Sequence, residues 1–347
     1  MGIKSVIGVC GFGYSGSGAV LDLLKASSAI HVEDDIEFSL VYTPDGIEDL
    51  QHNISLCPSR YWSSDSAIRR FIQLIERKRK NLDYLSKGLF SVLIDKYLAD
   101  IIQVKWKGST GVHIYQESWT SFFFKQRVFR RVVSEYEKRI KPISIHVPPQ
   151  KTMYYSYIDN ENFINISREL VMNLLESIVG NEKSTIVLDQ PFSANNPEKS
   201  FPFFENPKAI VVLRDPRDTY LLAMHNLGLM GSFVPTDNVK SFAKYYKGLM
   251  ESRSISVNPN ILTVFFEDLI YNYETTKQII LDFIGCKELS FTGKNLFNPD
   301  VSINNTQLWR KYEQHAEEIK YLEKELSDYL YDFSKYEKKP SFLTNSF

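Results

Sequence analysis

Two serines among four glycines, GFGYSGSG from Gly11 to Gly18, stand directly between an apolar run, Ser5 to Cys10, and a helical pattern, Ala19 to Lys25. Glycines at this density let the backbone turn with positive φ and approach a ligand closely. A helix start adds unpaired N–H groups at the positive end of its dipole. The hydroxyls of Ser15 and Ser17 extend the donor set, and the chemistry this suits is holding a phosphate or sulfate. The loop alone leaves the ligand open. Gly11, Gly13 and Gly16 also satisfy GxGxxG, Asp34 and Asp35 lie about 20 residues beyond it where a ribose-binding acid would fall, and the Lys of GxxxxGK[ST] is missing. A second constellation, KAIVVLRDPRDTYLLAMHN from Lys208 to Asn226, brings Arg214 and Arg217 to the end of an apolar run around a Pro-containing turn. In an open α/β sheet that end is where ligands bind, and a dinucleotide reading leaves these arginines without a task.

The elements that must position these residues follow from periodicity. Short β-branched runs at Ser5 to Cys10, Ile30 to Val32, Ser184 to Leu188, Ala209 to Leu213 and Ile261 to Phe266 alternate with helical patterns. Near-continuous apolar strands separated by helices predict an α/β fold, a parallel sheet covered by helices on both faces. Helical patterns fall at Ala67 to Lys80, Leu89 to Gln103, Phe122 to Ile140, Ile166 to Val179, Val239 to Ser252, Tyr273 to Ile284 and Glu313 to Phe333. Between Asp45 and Ile158 no strand pattern matches the core strands in strength, so a mostly helical insertion over 45–158 is expected within a core of 1–44 and 159–347. His146 to Gln150, with Pro148 and Pro149, marks its end.

Composition narrows the function. The 347 residues carry a net charge of −1, which gives no global field for nucleic acid. Cys10, Cys57 and Cys286 form no metal-ligand spacing, so a reduced, cytoplasmic chain with no metal site is expected. No stretch approaches the roughly 20 apolar residues of a membrane span, and the first residues make a poor signal peptide. The Asn-x-Ser/Thr matches at Asn53, Asn165 and Asn304 are read as accidental. Aromatic content is 14%, chiefly 20 Tyr and 23 Phe, most of it expected in packing rather than sugar stacking.

GFGYSGSG resembles the 5′-phosphosulfate loop of PAPS-dependent sulfotransferases, and LRDPRD resembles their 3′-phosphate motif. TIVLDQPFSANNP (Thr185 to Pro197), VFFEDLIYNYETTKQIILDFIG (Val264 to Gly285) and NTQLWRKYEQHAEEI (Asn305 to Ile319) agree with later family segments in order and spacing. The resemblance covers about half of the chain and implies a P-loop-NTPase-like sulfotransferase core. It also implies transfer of the sulfuryl group of PAPS, without a metal, to a hydroxyl, in the carbohydrate-modifying branch on a glycan or a membrane-borne glycolipid. Carried onto this sequence, Tyr14, Ser15, Gly16, Ser17 and Gly18 would hold the 5′-phosphosulfate, Arg214 with Arg217 the 3′-phosphate, and Asp35 in VEDDIEFSLVY would be the general base. Glu33, Asp34 and Glu37 lie within a register shift of it, and His113 is the reserve base. Two positions depart from the pattern: Tyr14 stands where the family has a Lys or Arg, and Leu222 where it has a Ser. Arg217, Lys25 or a basic residue of the insertion would have to replace the cation. The insertion supplies Arg69, Arg70, Arg77, Lys78, Arg79, Lys80, Lys125, Arg127, Arg130 and Arg131, a solvated face or a groove for an anionic acceptor. The rival readings are a non-catalytic nucleotide- or glycan-binding protein on the same fold and an NAD(P)-binding Rossmann enzyme.

Overall fold

The computed structural model describes residues 2–58, 61–108, 120, 124–129, 131, 151–180, 184–225, 233–254, 257–286 and 296–342. The chain divides into two compact units, Met1–Tyr42 with Val171–Phe347, and Thr43–Leu170.

The first unit is built on a five-stranded sheet in the order β2-β5-β1-β6-β7, with every pair parallel. Its strands are β1 (Ser5–Gly11), β2 (His31–Glu33), β5 (Thr185–Asp189), β6 (Pro207–Leu213) and β7 (Ile261–Phe265). All five occupy the predicted apolar runs, and helices flank the sheet, so the α/β expectation holds. β1 and β6 lie at the centre, where burial on both faces rewards an unbroken apolar run over an alternating one. On one face Ile7, Val9, Val187, Ile210 and Val212 pack against Val20, Leu21 and Leu24 of α1 (Ser17–Leu24) and against Ile280 and Leu281. On the other, a Cβ at Gly8 would lie 2.5 Å from Phe192 and Pro191, so the segment after β5 closes directly over the strand. Phe192 meets Phe201 and Phe204 edge-on there.

The strand order positions the functional residues. From β1 the chain runs through α1 to β2 on one side, and from β6 it runs to β7 on the other. Connections leaving adjacent strands in opposite directions open a crevice at their carboxyl ends, and here the adjacent strands are β1 and β6.

The second unit contains the helices Tyr61–Leu85 and Leu89–Ile101 and a two-stranded antiparallel ribbon, β3 (Val104–Gly108) with β4 (Lys151–Tyr155). The helical expectation for 45–158 omits this ribbon, because β3 is exposed at nearly every position and lacks the apolar run that marks a core strand. Buried Asp65 ties the long helix to the ribbon, accepting from the Tyr154 N–H and from Arg69 Nε at 2.9 Å each. Arg69, Arg70 and Arg79 of the expected basic face each hold a partner within the unit: Asp65, Asp45 and Glu76 respectively. His113, Phe122, Phe123, Arg130 and His146 to Gln150 lie outside the described residues, as does most of the helix expected at Phe122 to Ile140; within that span Phe124–Phe129 is a π-helical turn.

One further expectation fails in part. The long helix read over Glu313 to Phe333 is α-helical only at Ala316–Glu325 and breaks into short 3-10 turns on either side. Tertiary contacts override the periodicity: the Tyr331 N–H donates to Asp215 at 3.0 Å and its hydroxyl to Asp268 at 2.7 Å, which a continuing helix could not satisfy together.

Candidate functional site

The loop after β1 turns through two left-handed residues, Tyr14 at φ 62 and Gly16 at φ 82, the latter capping α1. Gly16 is required twice over, since a Cβ would also fall 2.5 Å from the ring of Phe266. Tyr14 stacks its ring on Phe233, centroids 5.2 Å apart and planes within 3°. Ser15 donates its N–H to the Phe12 carbonyl at 2.9 Å, while its buried hydroxyl has no hydrogen-bond partner among the described residues. Gln190, which follows β5 with φ 49, reaches the loop from the neighbouring strand: its Oε1 accepts from the Gly11 N–H at 3.1 Å, and its Nε2 donates to Ser17 Oγ at 3.3 Å.

Arg214 ends β6 across the crevice and touches the same loop. It is 5% exposed, lies over the ring of Phe266 at 4.5 Å, and donates from Nη1 to the Tyr14 carbonyl at 3.1 Å and from Nη2 to the Asn305 carbonyl. Its Nε is buried without a partner among the described residues. Burial pulls its pKa below the ordinary value, opposed by the charges of Asp218, Glu267 and Asp215. Ser15, Arg214, Thr219 and Tyr246 line one cavity of about 10 Å³, room for roughly one water.

Arg217 faces elsewhere. It forms a two-point ion pair with Asp215, a second pair with Glu323 at 2.8 Å, and its guanidinium stacks 3.9 Å over Trp309. Asp218 accepts the N–H groups of Gln307 and Leu308, so the Trp-Arg-Lys segment near the carboxyl end is latched onto the RDPRD turn by its backbone. Three fully buried carboxylates, Asp215, Asp218 and Glu267, thus surround two buried guanidinium groups. Burial, then the charge of Asp215, pushes Asp218 up to about 7 and Glu267 up to about 8.

On the β2 side the site is acidic. Lys25 pairs with Asp34 and, at 3.5 Å, with Asp22; burial works against its charge, but these partners hold its pKa above the ordinary value. Asp189, the last residue of β5, is pushed up to about 6 by burial and by Glu37 and Asp34. Asp35 is exposed; its N–H donates to Glu33 Oε1 at 3.2 Å, and no hydrogen bond or ion pair joins it to the loop among the described residues. Glu33 itself is buried, 3.6 Å from His31. Leu222 is half-buried on the helix Pro216–His225, and Thr219 there bonds the Asp215 carbonyl at 3.1 Å. His225 stacks on Tyr312 at 3.8 Å, a packing role.

The structure therefore brings Tyr14 to Gly18 together with Arg214, and leaves Arg217 and Asp35 apart from that contact. Asp189, Gln190 and Glu267 were not singled out as chemistry by sequence. Their common signal is position, each standing at or just past the carboxyl end of a core strand. The Ser15 hydroxyl, buried beside a helix start and without a partner among the described residues, suits an anion. A 3′-phosphate on Arg214 would have to take the guanidinium from the two carbonyls it now holds. Among the described residues no group of three His, Cys, Asp or Glu side chains is arranged to hold a metal ion, and no helix is long and apolar enough to cross a membrane.

Fold and loop together define a parallel α/β protein with a Gly-Ser loop and a buried arginine facing each other at the switch point of its sheet. No protein-family model matches the chain, and no curated protein matches it. Among solved structures it is similar to the sulfotransferase domain from the curacin biosynthetic pathway, at 14% identity and a TM-score of 0.36, covering 86% of this chain and 78% of that one. The sulfotransferase domain of the Synechococcus PCC 7002 olefin synthase gives 14%, 0.37 and the same coverage. Retinol dehydratase in complex with androsterone and the inactive cofactor PAP gives 14% and 0.36, over 95% of this chain and 81% of that one.

Proposed function

We propose that the protein is a PAPS-dependent sulfotransferase with a P-loop-like core, acting on a hydroxyl of a carbohydrate or glycolipid acceptor. The observation that supports this most is the meeting of the Tyr14–Gly18 loop with Arg214, through the Tyr14 carbonyl, across adjacent strands, which offers two anchors to a nucleotide phosphorylated at both ends. The donor supplies an activated sulfuryl group. Ser15, Ser17 and the backbone of Gly16 and Gly18 hold its 5′ end, with the Tyr14 phenol in place of a cation, and Arg214 holds its 3′ end, while Arg217 is held by Asp215 and Glu323. As the acceptor oxygen bonds to sulfur and the sulfur–phosphate bridge breaks, Asp35 takes the acceptor proton. Fixing donor and acceptor in line accounts for most of the rate.

A second reading, a nucleotide-binding protein without turnover, is favoured by one observation: Lys25 and Arg217, two of the cations able to replace the missing one at Tyr14, are already committed to carboxylates. Calorimetry with PAP and NAD, followed by labelled-sulfate transfer to a glycan panel, separates the readings. The proposal expects PAP binding, at least roughly tenfold weaker in Arg214→Ala through loss of a charge-assisted bond, and transfer by the wild type. NAD binding without PAP binding overturns it; PAP binding without transfer to any acceptor supports the second reading.

A further inference from the structure

We infer that Gln190 is the positioning residue of the anion loop, holding the Ser17 hydroxyl with its proton directed outward toward the bound anion. The inference rests on reading the loop as the donor site. The Gly11 N–H can only donate, so the group 3.1 Å away on Gln190 must be the amide oxygen. That orientation turns the amide NH₂ toward Ser17, where it donates to Oγ at 3.3 Å. Ser17 is thereby an acceptor on its inner side, and no acceptor takes its proton among the described residues. Ser17 is half-buried, and its neighbour Gly18 is exposed, with nothing within 4 Å of where a Cβ would be. A hydroxyl so arranged meets an anion as a donor without first turning over.

The backbone supports the same assignment. Gln190 adopts φ 49 immediately before Pro191, a combination that a non-glycine residue avoids. Glycine would relieve that strain, yet the position carries a side chain that spans β5 and the loop. Strain kept where a relaxed alternative exists points to a task for the side chain.

The test combines Gln190→Gly, Gln190→Glu and Ser17→Ala with the double variant Gln190→Gly/Ser17→Ala, titrated calorimetrically with PAP and with inorganic pyrophosphate. Gln190→Gly relieves the left-handed backbone but removes the bonds to Gly11 and Ser17, so it should unfold cooperatively with a midpoint within a few degrees of the wild type. Its PAP affinity should fall roughly tenfold, and this loss should shrink to less than about threefold in the Ser17→Ala background, since the side chain acts through Ser17. Gln190→Glu keeps the Gly11 bond but draws the Ser17 proton inward and adds negative charge, so it should bind more weakly than Gln190→Gly. Equal losses in both backgrounds, or wild-type affinity in either Gln190 variant, overturn the inference. Wild-type binding of pyrophosphate but not PAP would sink the nucleotide reading alone, with Gln190 then judged by the pyrophosphate series. Binding of neither probe overturns both.

Discussion

Making the medium alkaline should destabilise this protein through one carboxyl, Glu267. Its side chain is fully buried, Oε1 accepts the Asp215 N–H at 3.0 Å, and Oε2 has no partner among the described residues. Burial first, and then the charge of Asp215, raise it from 4.5 to about 8 despite the opposing charge of Arg214. The folded protein therefore keeps a proton that the unfolded chain releases near 4.5. The stability this contributes is complete below that value and is lost as the pH rises through about 8. From about pH 6 to about pH 9 roughly two units of that window remain, and at about 1.4 kcal/mol per unit the loss is roughly 2–3 kcal/mol. Asp218, raised to about 7, loses its own contribution from 3.8 upward and adds to the slope in the lower part of the range. Glu267→Gln retains a carbonyl for the Asp215 N–H and has no proton to lose. Urea unfolding of both proteins at the two pH values measures the difference directly, with m checked for constancy. The wild type should lose roughly 2–3 kcal/mol more than the variant. Identical pH slopes in the two proteins would refute the reasoning, because Glu267 would then titrate alike folded and unfolded.

Gly16→Ala should destabilise the fold by about 2–5 kcal/mol, from the left-handed backbone and from a methyl driven into Phe266. Since Phe266 carries the Arg214 guanidinium, PAP affinity should fall with it; a variant as stable as wild type by thermal unfolding would contradict this. Asp35→Asn should lower labelled-sulfate transfer by about 100-fold or more while leaving PAP affinity unchanged, as expected for an acceptor base. Full activity in that variant would move the role to another carboxylate, with Asp189 at the end of β5 the next to be substituted.

The strands, the loop and the RDPRD turn were legible because each is a local pattern. An unbroken β-branched run ending in glycines admits few conformations, and β1 with GFGYSGSG adopts the expected strand, turn and helix start. The same locality explains the misses. The β3–β4 ribbon pairs two segments more than 40 residues apart through exposed strands, so neither carries a core signature. The last helix breaks where Tyr331 finds Asp215 and Asp268, partners that no window of sequence contains.

From the sequence alone came the residue types, the Gly-Ser loop between strand and helix, and the presence of arginines at a strand end. Only the tertiary structure decided what each arginine touches. Arg214 and Arg217 are three residues apart on one turn, yet the first faces the loop while the second is held by Asp215, Glu323 and Trp309. Side-chain direction at a turn is set by which buried charges and ring faces lie within reach, and those arrive from the segment after β7 and from the carboxyl-terminal segment only when the chain folds. Gln190 shows this most plainly: an unremarked amide in the sequence, it becomes a support of the loop because the sheet order places the end of β5 beside the end of β1.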